Sequence, residues 1–416
     1  GGPLDRRERV LIAVAPASRM MAGILMGTAL AVYIGERGSP FAVSMVLTAY
    51  FLGLLLFSPV WGAVADVTGR RRAVLVATGV LATAAALGLL VVDGVWAPIG
   101  FRLLYAVFAA GFAPVMLAIV SEHGGSEGRG REIGYFNTAR ATGFTGAQLA
   151  AGALLGLLLP SGIYLVIAGM SLLSTVTVAL LADPTPTPDR APTLTELLAE
   201  MKQRLLPAVD ERAHLREKGL RWLYVAIALR NMSVLGVQSL LPPFLIVQVG
   251  VTPFVMGAIL ALNPGGQMVC MYLFGKVADV VGRKPLIIAG MAGSAGFGLI
   301  MAFSTTPGGV PVRGVVAGAA TLIQGVGFAA MATGALAFIG DVAPVDRESE
   351  LMGLQQTAKG LGGVLGPVVI GALATGFGHE FAFGAGSLLA IAATGLVAVA
   401  LTESAPVEHG RWSLGD

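Results

Sequence analysis

The sequence predicts an all-α membrane protein whose twelve transmembrane helices fall into two similar halves of six. Three observations predict it: charge is scarce, apolar runs of about 20 residues recur along the chain, and one distinctive loop occurs twice. Charged residues are 12% of the 416 and apolar residues 55%, with a mean hydropathy of +0.80. A soluble domain carries about twice that share of charge. An apolar run of ~20 residues crosses a ~30 Å hydrocarbon layer as a helix, whereas a barrel strand needs only about 9–11.

Taken in order, the first half reads as spans at 10–34, 41–65, 73–92, 97–120, 132–159 and 161–182. The second half reads as 220–249, 253–278, 285–303, 312–341, 349–375 and 381–401. Pro242-Pro243 and Asn263-Pro264-Gly265-Gly266 are expected to break the seventh and eighth of these. Between the halves the chain changes character. Asp183-Pro184-Thr185-Pro186-Thr187-Pro188-Asp189 cannot continue a helix and leaves the membrane as a stiff polar segment. Thr193 and Glu196 then have capping-box spacing, followed by Leu194, Leu197, Leu198, Met201 and Leu205 at helical intervals. They predict a short amphipathic helix with Lys202 and Arg204 on its wet side, either lying on the cytoplasmic leaflet or packed under the bundle. The division is therefore 1–182 as the N-terminal bundle, 183–219 as a cytoplasmic linker, and 220–416 as the C-terminal bundle with a short tail. Gly1-Gly2-Pro3 lacks an initiator Met and reads as a trimmed or engineered start.

Orientation follows from Lys and Arg outside the spans. With the N-terminus inside, twenty of them fall on the cytoplasmic side and two, Arg37 and Arg313, on the other. Both termini are expected in the cytoplasm and the protein in the plasma membrane. The small basic excess reports topology, and nucleic acid is not implied as a partner.

Internal repetition is the most specific signal. Gly62-Ala-Val-Ala-Asp66-Val-Thr-Gly69-Arg70-Arg71-Arg72 recurs as Gly275-Lys-Val-Ala-Asp279-Val-Val-Gly282-Arg283-Lys284-Pro285, 213 residues on. The stretch from Glu132 to Gly152 likewise resembles Ser349 to Gly371, with Arg140 facing Lys359. At these residues the chain resembles the major facilitator superfamily, whose signature is this Gly-x-x-x-Asp-x-x-Gly-Arg-Arg/Lys loop. The resemblance covers essentially the whole chain. It implies two six-helix bundles around a central cavity that opens alternately to each side. It also implies that the loop latches the bundles together, a role carried to Gly62, Asp66, Gly69 and Arg70 and to Asp279, Gly282 and Arg283. Arg102 matches the family's buried Arg of the fourth span and is assigned a structural or coupling role, although Ala106 stands where Gly often follows. The family's antiporter signature, Gly-Pro-x-x-Gly-Gly, is replaced by Gly146-Ala-Gln-Leu-Ala-Ala151, and Gly-Pro appears at Gly366-Pro367 instead.

Five cations lie within the spans: Arg19, Arg102, Arg140, Arg230 and Lys359. No carboxylate lies comparably deep. An unpaired cation there costs at least about 2.5–3.5 kcal/mol, so each needs water, a carbonyl or an anion. Two readings compete. In one, Arg19, Arg230, Arg140 and Lys359 line the cavity and bind an anionic substrate, Arg offering a fork for carboxylate or phosphate. In the other they bond to carbonyls and hold the bundles together. Asn231, Gln238, Asn263 and Gln267 are further cavity candidates, with helix–helix hydrogen bonding as the alternative.

No enzyme is predicted: there is no phosphate-cradling loop, no metal-ligand cluster and no cofactor signature, and the four histidines read as loop or tail residues. Cys270 alone can form no disulfide framework. The reading is a monomeric secondary transporter in the bilayer, working by alternating access on a small organic anion, with or without a coupling ion. The alternative is an exporter of drug-like or lipid-like amphiphiles.

Overall fold

The computed structural model describes residues 5–206, 213–344 and 347–404; Arg212, the extreme N-terminus and the expected tail with His409 and Arg411 lie outside them. In chain order the first half comprises α1 (Arg6–Gly35), α2 (Pro40–Thr68), α3 (Arg71–Gly88, with a 3-10 turn to Val91), α4 (Trp96–Ala109), α5 (Phe112–Leu157) and α6 (Pro160–Leu180). The linker carries α7 (Leu194–Leu205). The second half comprises α8 (Leu220–Phe244, with a π-helical turn to Val249), α9 (Pro253–Val281), α10 (Arg283–Phe303), α11 (Val310–Val342), α12 (Glu348–Phe377) and α13 (His379–Ala400). Among the described residues there is no strand.

Local chemistry sets the ends. Proline at the first turn of α2 and α9 lacks an N–H that would have no partner there, and the preceding Ser39 and Thr252 hydroxyls accept from Ala42 and Val255 N–H, each at 3.3 Å. Gly69 and Gly282 take positive φ, 63° and 101°, which turns the chain sharply between paired helices.

Eleven helices among the described residues are long and apolar enough to cross a membrane. The fourth span is α4 plus the start of α5, Trp96–Gly125. The remaining position is the part of α5 beyond Gly125, whose Asn137, Thr138, Arg140, Thr142, Thr145 and Gln148 dilute its apolarity. The loop expected between 120 and 132 is helical apart from a break at Gly125 (φ 61°, ψ −160°). A second interruption precedes Phe112, where Trp61 presses so close to Gly111 that an added Cβ would sit 2.5 Å from the Trp61 Cβ. The indole N–H of Trp61 takes the carbonyl of Val107 at 2.7 Å, satisfying a group the interrupted helix leaves over.

Three expectations are corrected. Pro242, Pro243 and Pro264 lie inside continuous helices, and the strain at the first two is absorbed by the following π-helical turn. His123 lies within α5 and His379 opens α13. On α7, Lys202 and Arg204 are both exposed, but Arg204 also reaches Asp66 of α2, and the expected apolar face is only partly covered, with Leu194, Leu198 and Leu205 exposed. The capping box of α7 forms as its spacing predicts.

Candidate functional site

Four helix pairs join the halves: α2 with α12, α5 with α9, α1 with α8 and α2 with α8. Along α2 and α12 the chain contacts run antiparallel, from Phe41 N–H to Thr375 Oγ1 at 2.9 Å, through Thr48 Oγ1 to the Val364 carbonyl at 3.0 Å, to Leu55 against Gly360. On α5 and α9, Gly152 and Gly257 abut so closely that a Cβ on either would lie under 3 Å from the other's Cα. On α1 and α8, Gly35 leaves room for Pro243. Glycine removes the side chains that would hold backbones apart, so the bundles meet backbone to backbone. These contacts concentrate toward the end remote from the two repeated loops.

Between the halves lies a cavity of about 120 Å³. Its apolar walls include Ile24, Val46, Leu47, Phe144, Leu241 and Leu260, and its polar groups are Thr28, Arg102, Gln148, Gln238, Ser239, Asn263 and Thr321. Thr28 donates to Gln148 Oε1 at 3.0 Å, and Gln267 to Asn263 Oδ1 at 2.7 Å. Gln238 and Asn263 thus stand at the cavity as the sequence suggested, with Gln267 one hydrogen bond behind. Arg102 also lines it. Its guanidinium is 1% exposed, donates to the Gly23 carbonyl at 2.8 Å, and lies 4.4 Å from the centre of the Tyr50 ring. Gly27 has no Cβ to collide with it.

The other cations lie off the cavity walls. Arg19 donates to Ser171 Oγ at 2.8 Å, Thr175 Oγ1 at 3.3 Å and Tyr105 Oη at 3.4 Å, which ties α1 to α6 and α4 inside the first half. Arg230 donates to Ser294 Oγ and Asn231 Oδ1, both at 2.8 Å, and keeps one buried nitrogen, Nη2, without a partner. Arg230 and Lys359 share the ring of Phe328, at 5.2 and 5.4 Å from its centre. Arg140 lies 5.9 Å from the Phe136 ring. None of the five buried or half-buried cations forms an ion pair among the described residues.

The second repeated loop is clasped within its own half, and the first by its own half together with the linker. Asp66 accepts from Arg71 at 3.0 Å on one oxygen and from Arg204 of α7 at 3.0 Å on the other, and Arg71 also pairs with Glu122 at 3.2 Å. Gly62 leaves room for Arg204, and Gly69 for Pro188. In the second loop Arg283 pairs with Asp279 at 3.3 Å and with Asp341 at 2.9 Å. Arg70 is exposed at the start of α3.

Sequence reasoning missed the acid behind each loop. Asp183 accepts from the Arg72 N–H at 3.0 Å, and Glu403 from the N–H groups of Arg283 and Lys284, also at 3.0 Å. Each carboxylate follows its half's last helix by three residues and sits at the N-terminus of the third, where backbone N–H groups lack helical partners. Burial alone would raise the Asp183 carboxyl, but hydrogen bonds from Thr185 and the Arg72 backbone outweigh it and hold it below its ordinary value. A signal existed: Leu181-Ala-Asp183 and Leu401-Thr-Glu403 stand 220 residues apart, close to the spacing of the loops.

A family model described as Major Facilitator Superfamily matches residues 11–262 and 223–414. A multi-drug resistance efflux pump of Streptococcus pneumoniae, PmrA, is 25% identical over 362 residues, 85% of each chain. Among solved structures, the nucleoside transporter NupG superposes with a TM-score of 0.73 at 12% identity, covering 93% of this chain and 98% of that one. A bacterial homologue of the human lysosomal transporter Spinster gives 0.72 at 15% identity, covering 96% and 97%.

Proposed function

The chain belongs to the Major Facilitator Superfamily, and from that membership we propose that it exports amphiphilic organic anions by alternating access. The observation that carries this reading is the set of five cations at membrane depth with no acidic partner among the described residues. A lipophilic cation entering such a site meets like charge, whereas a carboxylate or phosphate gains charge-assisted hydrogen bonds. The apolar walls suit the body of an amphiphile, with Gln148, Gln238 and Asn263 as adaptable donors and acceptors. Outward transport is supported by the relatives named as efflux pumps.

In this reading the cations divide their work. Arg19 is spent on Ser171 and Thr175 and holds α6 in place. Arg102 meets substrate at the cavity, while Arg230 with Lys359, and Arg140 in the first half, act from behind its walls by adding positive potential, with Asn231, Asn263 and Gln267 as polar neighbours. The loops at Gly62–Arg70 and Asp279–Arg283 face the cytoplasm, lock the halves when that side closes, and stand open here. The halves 1–182 and 220–416 move about the linker 183–219, as a monomer in the plasma membrane with both termini inside.

The test is a thermal-shift screen of the purified chain with amphiphilic carboxylates, phosphates, neutral compounds and lipophilic cations, followed by efflux from loaded vesicles. Stabilisation and transport of anions support the reading. If only neutral or cationic compounds bind, the anion assignment is wrong and a general amphiphile exporter takes its place.

A further inference from the structure

We infer that α7 is a membrane-docking helix whose partner is a leaflet containing anionic phospholipid, and that this docking holds Arg204 against Asp66. The argument begins with the register of the helix. At about 100° per residue, positions 194, 198 and 205 fall within about 40° of one another. The leucines there are 70%, 55% and 40% exposed, and Leu206 just beyond is 70% exposed. The face about 100° round the helix is turned to α2: Arg204 reaches Asp66 at 3.0 Å and Glu200 at 2.9 Å, and Leu197 and Met201, half-buried, share that face. Only part of the apolar side therefore turns inward, and a stripe of leucine is left for something other than α2.

Position decides what that something is. Arg204 meets α2 at Gly62 and Asp66, at most about 9 Å short of the end of a membrane-spanning helix at 1.5 Å per residue. That is the depth of the headgroup layer, where an amphipathic helix sinks its apolar face by about 5–10 Å. Charge agrees. Glu196 is paired with Arg190 and Glu200 with Arg204, while Lys202, exposed, flanks the leucine stripe. A lysine at that edge extends its stem along apolar surface and places its ammonium among phosphates. The entry into α7 is fixed as well, by the capping box at Thr193 and, upstream of it, by Pro188 packed on Gly69. The inference stands whatever the transported compound is.

The experiment uses the full chain with Cys270→Ser, carrying a fluorophore at Leu198→Cys, at Leu205→Cys or, as the water-facing control, at Gln203→Cys. Each is reconstituted into vesicles of phosphatidylcholine with or without phosphatidylglycerol. Spin-labelled acyl chains should quench positions 198 and 205, and aqueous iodide should quench 203. Phosphatidylglycerol should increase the acyl-chain quenching, and Lys202→Gln should abolish that increase. Iodide reaching 198 and 205 as freely as 203 would overturn docking. So would shielding from both quenchers, which would place the stripe against the second half of the protein. Quenching indifferent to phosphatidylglycerol would overturn the anionic partner.

Discussion

Replacing Gly257 by alanine tests whether the glycine contact between α5 and α9 sets the conformational balance. The added Cβ would lie 2.5 Å from the Gln148 carbonyl oxygen and 2.6 Å from Gly152 Cα, where ordinary contact begins at 3.4 Å. The obstruction is backbone on both sides, so no side chain can swing away and the helices must part by about 1 Å. Overpacking of this kind costs about 1–3 kcal/mol. Only the state in which these helices touch bears that cost, so its population relative to the alternative should fall about 5- to 150-fold. Spin labels at Glu36→Cys and Val247→Cys, on the end of the molecule where the halves meet, read the balance as a distance distribution. A longer-distance population should grow in Gly257→Ala. Gly156→Ala is the control, because a Cβ there meets nothing within 4 Å. An unchanged distribution in a folded Gly257→Ala protein would refute the reasoning.

Arg19→Gln should lower thermal stability by about 1–3 kcal/mol, through the buried hydrogen bonds to Ser171, Thr175 and Tyr105 that it removes, with little change in ligand affinity. Arg230→Gln should instead weaken binding of an amphiphilic carboxylate about 10- to 150-fold, and equal losses in both would refute the division of roles. Asp183 is held below its ordinary value in the fold, so its contribution is complete above the unfolded carboxyl value and is lost as pH falls through the folded one. Thermal melts should therefore show a drop on acidification that Asp183→Asn diminishes. Reporter fusions at Asp189 should lie inside and at His379 outside; a robust inside signal at His379 would break the proposed topology. Asp66→Asn removes the charge that pairs with both Arg71 and Arg204 and leaves one accepting oxygen where two serve now, and it should raise accessibility of cysteines on the loop side, measured by maleimide labelling.

The helix register was legible because it rests on local chemistry. Apolar length, proline at helix starts and glycine at positive φ act within a few residues, and the ends of α2, α9 and α10 fall close to where the sequence places them. The twofold repeat was legible because ancestry leaves its mark along the chain. What a buried cation touches was not. Arg19 and Arg230 occupy matching spans, yet one turns to Ser171, 152 positions away, and the other to Ser294, 64 positions away. Nothing local to either arginine encodes that difference. The same holds for Gly53, whose bare backbone makes room for Ala106, the residue that stands where the family often has glycine. Pro242 and Pro264 misled because a breaker in isolation is tolerated where neighbouring helices and a π-helical turn take up the strain.

The carboxylates at Asp183 and Glu403 bear on how the chain is made. Each caps a helix whose start is made more than a hundred residues earlier, so during synthesis the third helix of either half waits with exposed N–H groups until the last residues of that half emerge. The first half can complete itself before the second is translated. The second cannot until Glu403 leaves the ribosome, and a chain released at Ala400, though every span were present, would leave α10 uncapped. Ending the chain at Ala400, the close of the last helix, should therefore yield protein that inserts but matures slowly, with the defect confined to the second half.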